Sequence, residues 1–232
     1  MRIRSFIIAY ALVLAILLFA DRRPGSTQQD HYSHVVDLTD GENAAAPHTM
    51  SHTMTLESRT RIIAPGALIP GTWNAGQIPA ERLVAPLVVI DLNAALDPGS
   101  QISLDDIAAW ETRHGMIPQG SVVAIRRATA VADRPRNDQP MNDASATPLP
   151  IARDAAQFLI EARYAIGFAV ETPVDLASDR MLAQQLALHG SYVVERTAPF
   201  TSLPATGSLV IVAPAKDKKP GAAHVRILAM VR

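Results

Sequence analysis

A chain of 232 residues, 48% hydrophobic and 19% charged, carries enough apolar material for one sizeable core, which fits one globular domain plus a tail. Its net charge of −1 gives no global field that would favour nucleic acid or acidic lipid as a partner. The absence of cysteine excludes disulfides, thiol nucleophiles and thiolate metal sites.

Arg2 and Arg4 precede the apolar run Phe6 to Ala20, which ends at Asp21-Arg22-Arg23-Pro24. A charged start followed by such a run has the form of a secretory signal, and the run is shorter than the ~20 residues of a comfortable membrane span. Residues 1–23 are therefore expected to export the chain or anchor it, and cleavage and retention both remain open. Residues 24–55 are rich in Pro, Gly, Ser, Thr, Asn, Gln and His and read as a linker, broken only by the strand-like Val35-Val36-Asp37-Leu38. His31, His34, His48 and His52 fall in this stretch. His48 and His52 are spaced to reach one ion, although incidental histidines in a polar segment are the plainer reading.

A single domain is expected over 56–232. Pro79–Val84 reads as a short helical or turn segment, and Leu87–Leu92 as a strand covered on both faces. Ser103 is a good N-cap for a helix reaching about Arg113, with Asp105 and Asp106 in its first turn and Gly115 and Pro118 to stop it. Val122–Arg127 reads as a strand, and Ala132–Pro150, with four prolines, as an exposed excursion. Arg153–Tyr164 has an apolar helical face, Ile166–Val170 is a strand, and Asp179–Leu188 is a helix closed by His189-Gly190. Strands at Tyr192–Glu195, Leu209–Pro214 and Val225–Val231 complete the domain. Alternating strands and helices give an α/β class with a mixed β-sheet packed with helices. No Walker or Rossmann phosphate loop is present.

The order of these segments resembles the cyclase family of metal-dependent hydrolases, which includes the bacterial kynurenine formamidases. Val35-Val36-Asp37-Leu38-Thr39 is similar to the family's opening strand. Pro65 through Leu92, with Ile78-Pro79 and Glu81-Arg82-Leu83-Val84, follows the segment after its metal box. Ile166-Gly167 through Thr172-Pro173-Val174-Asp175 resembles Gly-Ile-Asp-Thr-Pro-Ser-x-Asp. Gly190–Glu195, Leu203-Pro204 and Val225–Ala229 match its last third. The likeness covers about residues 35–232 and implies the cyclase-family fold.

It also implies a two-metal site, usually zinc or manganese, built on His-x-Gly-Thr-His-x-Asp-x-Pro-x-His. Aligned on Thr60 and Pro65, the ligand positions of this box fall on Glu57, Arg61, Ile63 and Ala67. A further family His falls on Ala183, twelve residues before the ligand Glu195, and the His after Asp-Leu-Thr falls on Asp40. Only Glu195 is a retained family ligand. Arginine offers no lone pair at neutral pH, and isoleucine and alanine side chains offer none at all. No metal cofactor is expected on this reading, and Arg61 is expected to put its own charge in the metal's place and pair with Glu195. Zinc or manganese is the alternative, through a register in which His48 and His52 supply imidazoles after an insertion before Pro65.

Other constellations are weaker. His114 and His189 sit where a cation suits a helix end. A Ser178-Asp179-His189 triad has only sequence nearness in its favour. Glu171 and Asp175 lie in a loop after a strand, where turn chemistry around Pro173 competes with function. Arg126 and Arg127 end a strand and could face the same cleft. Trp73 and Trp110 are expected to supply packing. The sequence thus points to an exported protein of the bacterial envelope that binds a small molecule or a protein partner. The rival reading is an arylformamidase-like amide hydrolase acting on a substrate such as N-formylkynurenine. The N-terminal segment would reach the membrane if uncleaved, no nucleic-acid partner is expected, and the family likeness implies possible homo-oligomers.

Overall fold

The computed structural model describes residues 32–40, 60–92, 99–127, 146–216 and 221–232, all in the unit Tyr32–Arg232. The N-terminal signal or anchor, most of the linker, and His48, His52 and Glu57 lie outside the described residues. Eight strands run in the order β1 (His34–Asp37), β2 (Arg61–Ile63), β3 (Val84–Leu92), β4 (Val122–Arg127), β5 (Gly167–Val170), β6 (Tyr192–Glu195), β7 (Ser208–Pro214) and β8 (Ala222–Val231). Four α-helices are described: α1 (Pro65–Leu68), α2 (Leu104–His114), α3 (Arg153–Ala162) and α4 (Arg180–Leu188). The helix ends follow local chemistry. Ser103 accepts from the Asp106 amide while the Asp106 carboxylate accepts from the Ser103 amide, and Gly115 at φ 88° stops α2. Asp179 caps α4 by accepting from the Leu182 amide.

The sheet is mixed, as expected, but it also closes on itself. Strands β3, β4, β5 and β6 are parallel neighbours, while β7 pairs antiparallel with both β3 and β8. The ten-residue β8 then joins β2 through 222–224 and β1 through 228–231. In the β8 register, Asp37 faces Leu228 and Arg61 faces His224, so β1 and β2 lie end to end in one rank. The same rank meets β6 through Arg61 and Glu195, and the segment after β6 through the bridge Thr39–Thr197. The result is a seven-stave barrel in which one stave is interrupted. The chain leaves it at Asp40 and returns at Thr60, and the Asp40 amide donates to Thr60 Oγ1 at 2.7 Å.

Period-2 alternation divides the apolar residues between two cores. Leu87, Val89, Val122, Ala124, Ala169, Tyr192 and Val194 fill the barrel, with Val210, Val212, Ile227 and Ala229 from the antiparallel strands. Val88, Ile90, Val123, Ile125, Phe168, Val170 and Val193 point outward under α2, α3 and α4. This explains why β3 to β6 read as continuous apolar runs: both faces are dry. Trp110 fixes α2 to the sheet by donating its indole N–H to the Val89 carbonyl at 2.9 Å.

Three expectations need correction. Residues 61–68 hold a strand and a helical turn that periodicity did not reveal, because three- and four-residue elements show no period. The excursion over Ala132–Pro150 is not exposed throughout. Thr147 bridges to Val174, its amide donating to the Pro173 carbonyl and its carbonyl accepting from the Asp175 amide, and Leu149 is buried in the outer core. Finally, β8 begins at Ala222 rather than Val225, because its first residues pair with β2.

Gly167 marks the tightest point inside the barrel. A Cβ there would lie 2.5 Å from Tyr192 Cε2, and the Tyr192 hydroxyl is held by the Arg82 carbonyl at 2.9 Å. The ring cannot swing away without losing that bond. Gly167→Ala should cost about 1–3 kcal/mol of overpacking, read as a lower urea midpoint with an unchanged m-value.

Candidate functional site

The interrupted stave carries the candidate site. Ile62 points into the barrel, so Arg61 and Ile63 point outward, on the helix-covered side. Val194 points inward, so Glu195 also faces outward, directly across from Arg61 in the β2–β6 register. Arg61 Nε donates to Glu195 Oε1. The Val174 amide, from the loop after β5, donates to Glu195 Oε2 at 2.6 Å. Arg196 Nε lies 3.8 Å from Glu195 Oε1.

The Glu195 side chain has no solvent exposure, that of Arg196 has 1% and that of Arg61 has 17%. A carboxylate this deep persists only if compensated, and two guanidiniums and an amide surround it. Arg196 takes a left-handed φ of 56°, which ends β6 and turns its carbonyl to accept the Thr60 hydroxyl at 2.6 Å. That hydroxyl also accepts from the Asp40 amide, so both ends of the stave break are tied to the residue beside Glu195.

Of the other family ligand positions that are described, Asp40 is half-buried with its amide on Thr60 Oγ1, and Ile63, Ala67 and Ala183 are apolar. Ile63 and Ala183 pack against the outer core. Ala67 is exposed on α1, which packs against α4, the helix bearing Ala183. Among the described residues no group of three His, Asp or Glu side chains could hold a metal ion. Among the described residues the donor set does not fit a two-metal centre: one Glu195 oxygen is engaged by Arg61 and the other by an amide, and Ile63, Ala67 and Ala183 bring no donor atoms. The alternative ligands His48 and His52, and Glu57, are outside the described residues, so the rival register is not placed.

The minor constellations resolve into structural roles. His114 ends α2 with its ring 5.0 Å from that of Trp110. Ser178 donates to the Asp175 carbonyl, Asp179 caps α4 and pairs with Arg153, and His189 sits at the far end of that helix, so no triad forms. Asp175 Oδ1 accepts from the Ala177 amide, which is turn chemistry. Arg126 faces the barrel mouth rather than the Glu195 cleft. It binds Asp91, with Nη2 to Oδ2 at 3.0 Å, and donates to the carbonyls of Phe200 and Leu203. Glu171 accepts from the Phe200 amide at 2.9 Å at that same mouth. Trp73 is 39% exposed and lies against Gly190 under the Arg82 guanidinium, a contact with no sequence signal beyond Gly190 itself.

The sequence profile of the putative cyclase family matches residues 17–174, and the chain belongs to that family. The isatin hydrolase of Roseibium aggregatum is 28% identical over 166 residues, which span 65% of this chain and 61% of that relative's length. The solved isatin hydrolase A from Labrenzia aggregata, bound to benzyl benzoate, superposes with a TM-score of 0.63 at 26% identity, covering 85% of this chain and 93% of that one. Isatin hydrolase A from Ralstonia solanacearum shares the fold with a TM-score of 0.65 at 24% identity, over 86% of this chain and 92% of that one. A solved potential metal-dependent hydrolase with cyclase activity also shares it, with a TM-score of 0.59 at 22% identity, over 86% and 98% of the two chains.

Removing one partner of the buried pair leaves an uncompensated charge. Arg61→Ala should lower unfolding stability by about 3–5 kcal/mol, and Glu195→Met, which also takes the carboxylate from the buried Arg196, should lower it at least as much; equilibrium urea denaturation checks both. At the barrel mouth, burial pushes the Glu171 carboxyl above its ordinary value, against the Phe200 amide, Arg126 and Arg127, which pull it down. Because the value is raised, its contribution to stability is full below the ordinary 4.5 and is lost as pH rises through the elevated value. Glu171→Gln should flatten the fall in melting temperature that sets in as pH rises above the ordinary 4.5.

Proposed function

We propose that this cyclase-family protein has lost the metal-dependent hydrolase site of its relatives and acts as a small-molecule binding or interaction protein, exported to the bacterial envelope by its N-terminal segment. The observation that carries the reading is the Arg61–Glu195 pair. A guanidinium occupies the imidazole position that follows Thr60 in the family's box and takes up the one retained ligand carboxylate. Its fixed positive charge supplies the compensation that a divalent ion would otherwise give Glu195. The apolar side chains of Ile63 and Ala183 continue the outer core instead of donating lone pairs. A water held near Glu195 would therefore not meet the coordination that lowers its pKa towards neutrality.

The alternative is an active amide hydrolase with an altered metal site. It is favoured by the likeness to isatin hydrolase and by the His48–His52 spacing. Metal analysis by mass spectrometry separates the two readings. Purified protein should carry well under one equivalent of zinc or manganese and should not turn over isatin or N-formylkynurenine when either ion is added. Stoichiometric metal with chelator-sensitive turnover, abolished by His52→Ala, would establish the hydrolase instead. A ligand for the binder would show as a rise in melting temperature of the metal-free protein.

A further inference from the structure

A cavity of about 230 Å³ lies between the start of α4 and the segment 146–151. That segment is pinned at both ends. Thr147 bridges to Val174, and Ile151 bridges to Ile102. The Asp175 amide donates to the Thr147 carbonyl at 2.8 Å, and the Ile102 amide to the Pro150 carbonyl at 3.0 Å. Held at both bridges, the chain between them stands off α4 and keeps the space open. Much of the lining is hydrocarbon, from Pro148 and the buried Leu149, Leu176 and Leu182. Gln101, Asp175, Ser178 and Asp179 supply its polar atoms. Asp179 is already engaged, since it caps α4 and binds the Arg153 guanidinium through both oxygens. Ser178 donates to the Asp175 carbonyl, so its oxygen can still accept. Asp175 uses Oδ1 for the Ala177 amide at 2.9 Å, and its Oδ2 has no partner among the described residues. No arginine or lysine lines the cavity. An apolar pocket with one uncompensated negative charge therefore remains.

We propose that this cavity binds a small organic cation, an alkyl- or arylammonium, with its hydrocarbon against the three leucines and its ammonium on Asp175 and Ser178. Apolar pockets take their specificity from a few convergent polar groups, and here those groups are acceptors. An ammonium brings three donors, matched in number by Asp175 Oδ2, Ser178 Oγ and the side-chain oxygen of Gln101. Its charge strengthens the bond to the carboxylate, which a neutral ligand of the same shape forgoes and an anion turns into repulsion. The volume sets the size. Pockets for drug-sized ligands run roughly 300–1,000 Å³, so this one suits a single ring or a short chain. The site does not rest on Glu195 having lost its metal. The Val174 amide is directed at Glu195, while Asp175, the next residue, lines the cavity, so the loop after β5 stands between the two.

Amide-resolved NMR titration of the full chain in a non-ionic detergent tests the proposal, with benzylammonium, benzyl alcohol and benzoate as probes at neutral pH. Benzylammonium should saturate one site per chain and shift the amides of Leu149, Asp175 and Ser178. It should bind at least about tenfold more tightly than benzyl alcohol, which has the same number of heavy atoms, and benzoate should not bind. Asp175→Asn keeps an oxygen for the Ala177 amide and should abolish the preference for the cation, with the melting temperature as a check on folding. Gln101→Glu, at an exposed position on the cavity, should tighten benzylammonium binding about threefold, a gain that loss of folding cannot produce. The proposal is overturned by the absence of saturable shifts, by shifts confined to other residues or by equal affinity for the three probes. A preference that survives Asp175→Asn, or no gain in Gln101→Glu, overturns it too. Stoichiometric zinc or manganese would refute the reading of the Glu195 site and leave every one of these expectations in place.

Discussion

The barrel depends on its last strand having more than one set of partners. β8 is long enough to bond β7 along one edge and, along the other, both pieces of the split stave. Backbone amides and carbonyls in a half-closed sheet would need other partners or water. Closure removes that requirement for the parallel centre and allows β3 to β6 to be apolar on both faces. Everything else is arranged on this ring: one core inside it, one between it and the helices, and a wall with no helix described over it.

The Arg61–Glu195 pair is a product of the same closure. Only because β2 is held between β8 and β6 do residues 61 and 195 face each other, and only because their strands alternate do both turn to the helix side. Glu195 receives an amide from the loop after β5, a guanidinium from β2 and a second guanidinium from its own neighbour. A carboxylate so placed has little solvation to lose to a ligand and many contacts to lose by moving. The arrangement is an electrostatic joint between three staves.

Much of this was legible in the sequence. Long strands and capped helices announced themselves through period and punctuation, Ser103, Asp179 and Gly115 being clear examples. The pairing of Arg61 with Glu195 followed from the family likeness, since it puts a guanidinium at one ligand position beside the carboxylate retained at another. Closure of the sheet was not legible, because it rests on where β8 changes partner, and no residue there differs from an ordinary strand residue. β2 and α1 were too short to carry a period. The wall of β7 and β8 was hidden for a related reason: Leu209-Val210-Ile211-Val212 reads as buried on both faces, and the sequence does not say that no helix among the described residues covers one of them.

The broken stave has one more effect. The chain leaves the barrel at Asp40 and re-enters at Thr60 with its two ends latched together, so the ring is complete whatever residues 41–59 contain. Lengthening or rewriting such a detour changes the closure entropy only logarithmically. The N-terminal part of the family's ligand box falls in that detour, at Glu57, and its remainder begins where the chain returns. Closure of the ring therefore fixes where Arg61 and Ile63 stand, and leaves the length of chain between Asp40 and Thr60 open to change.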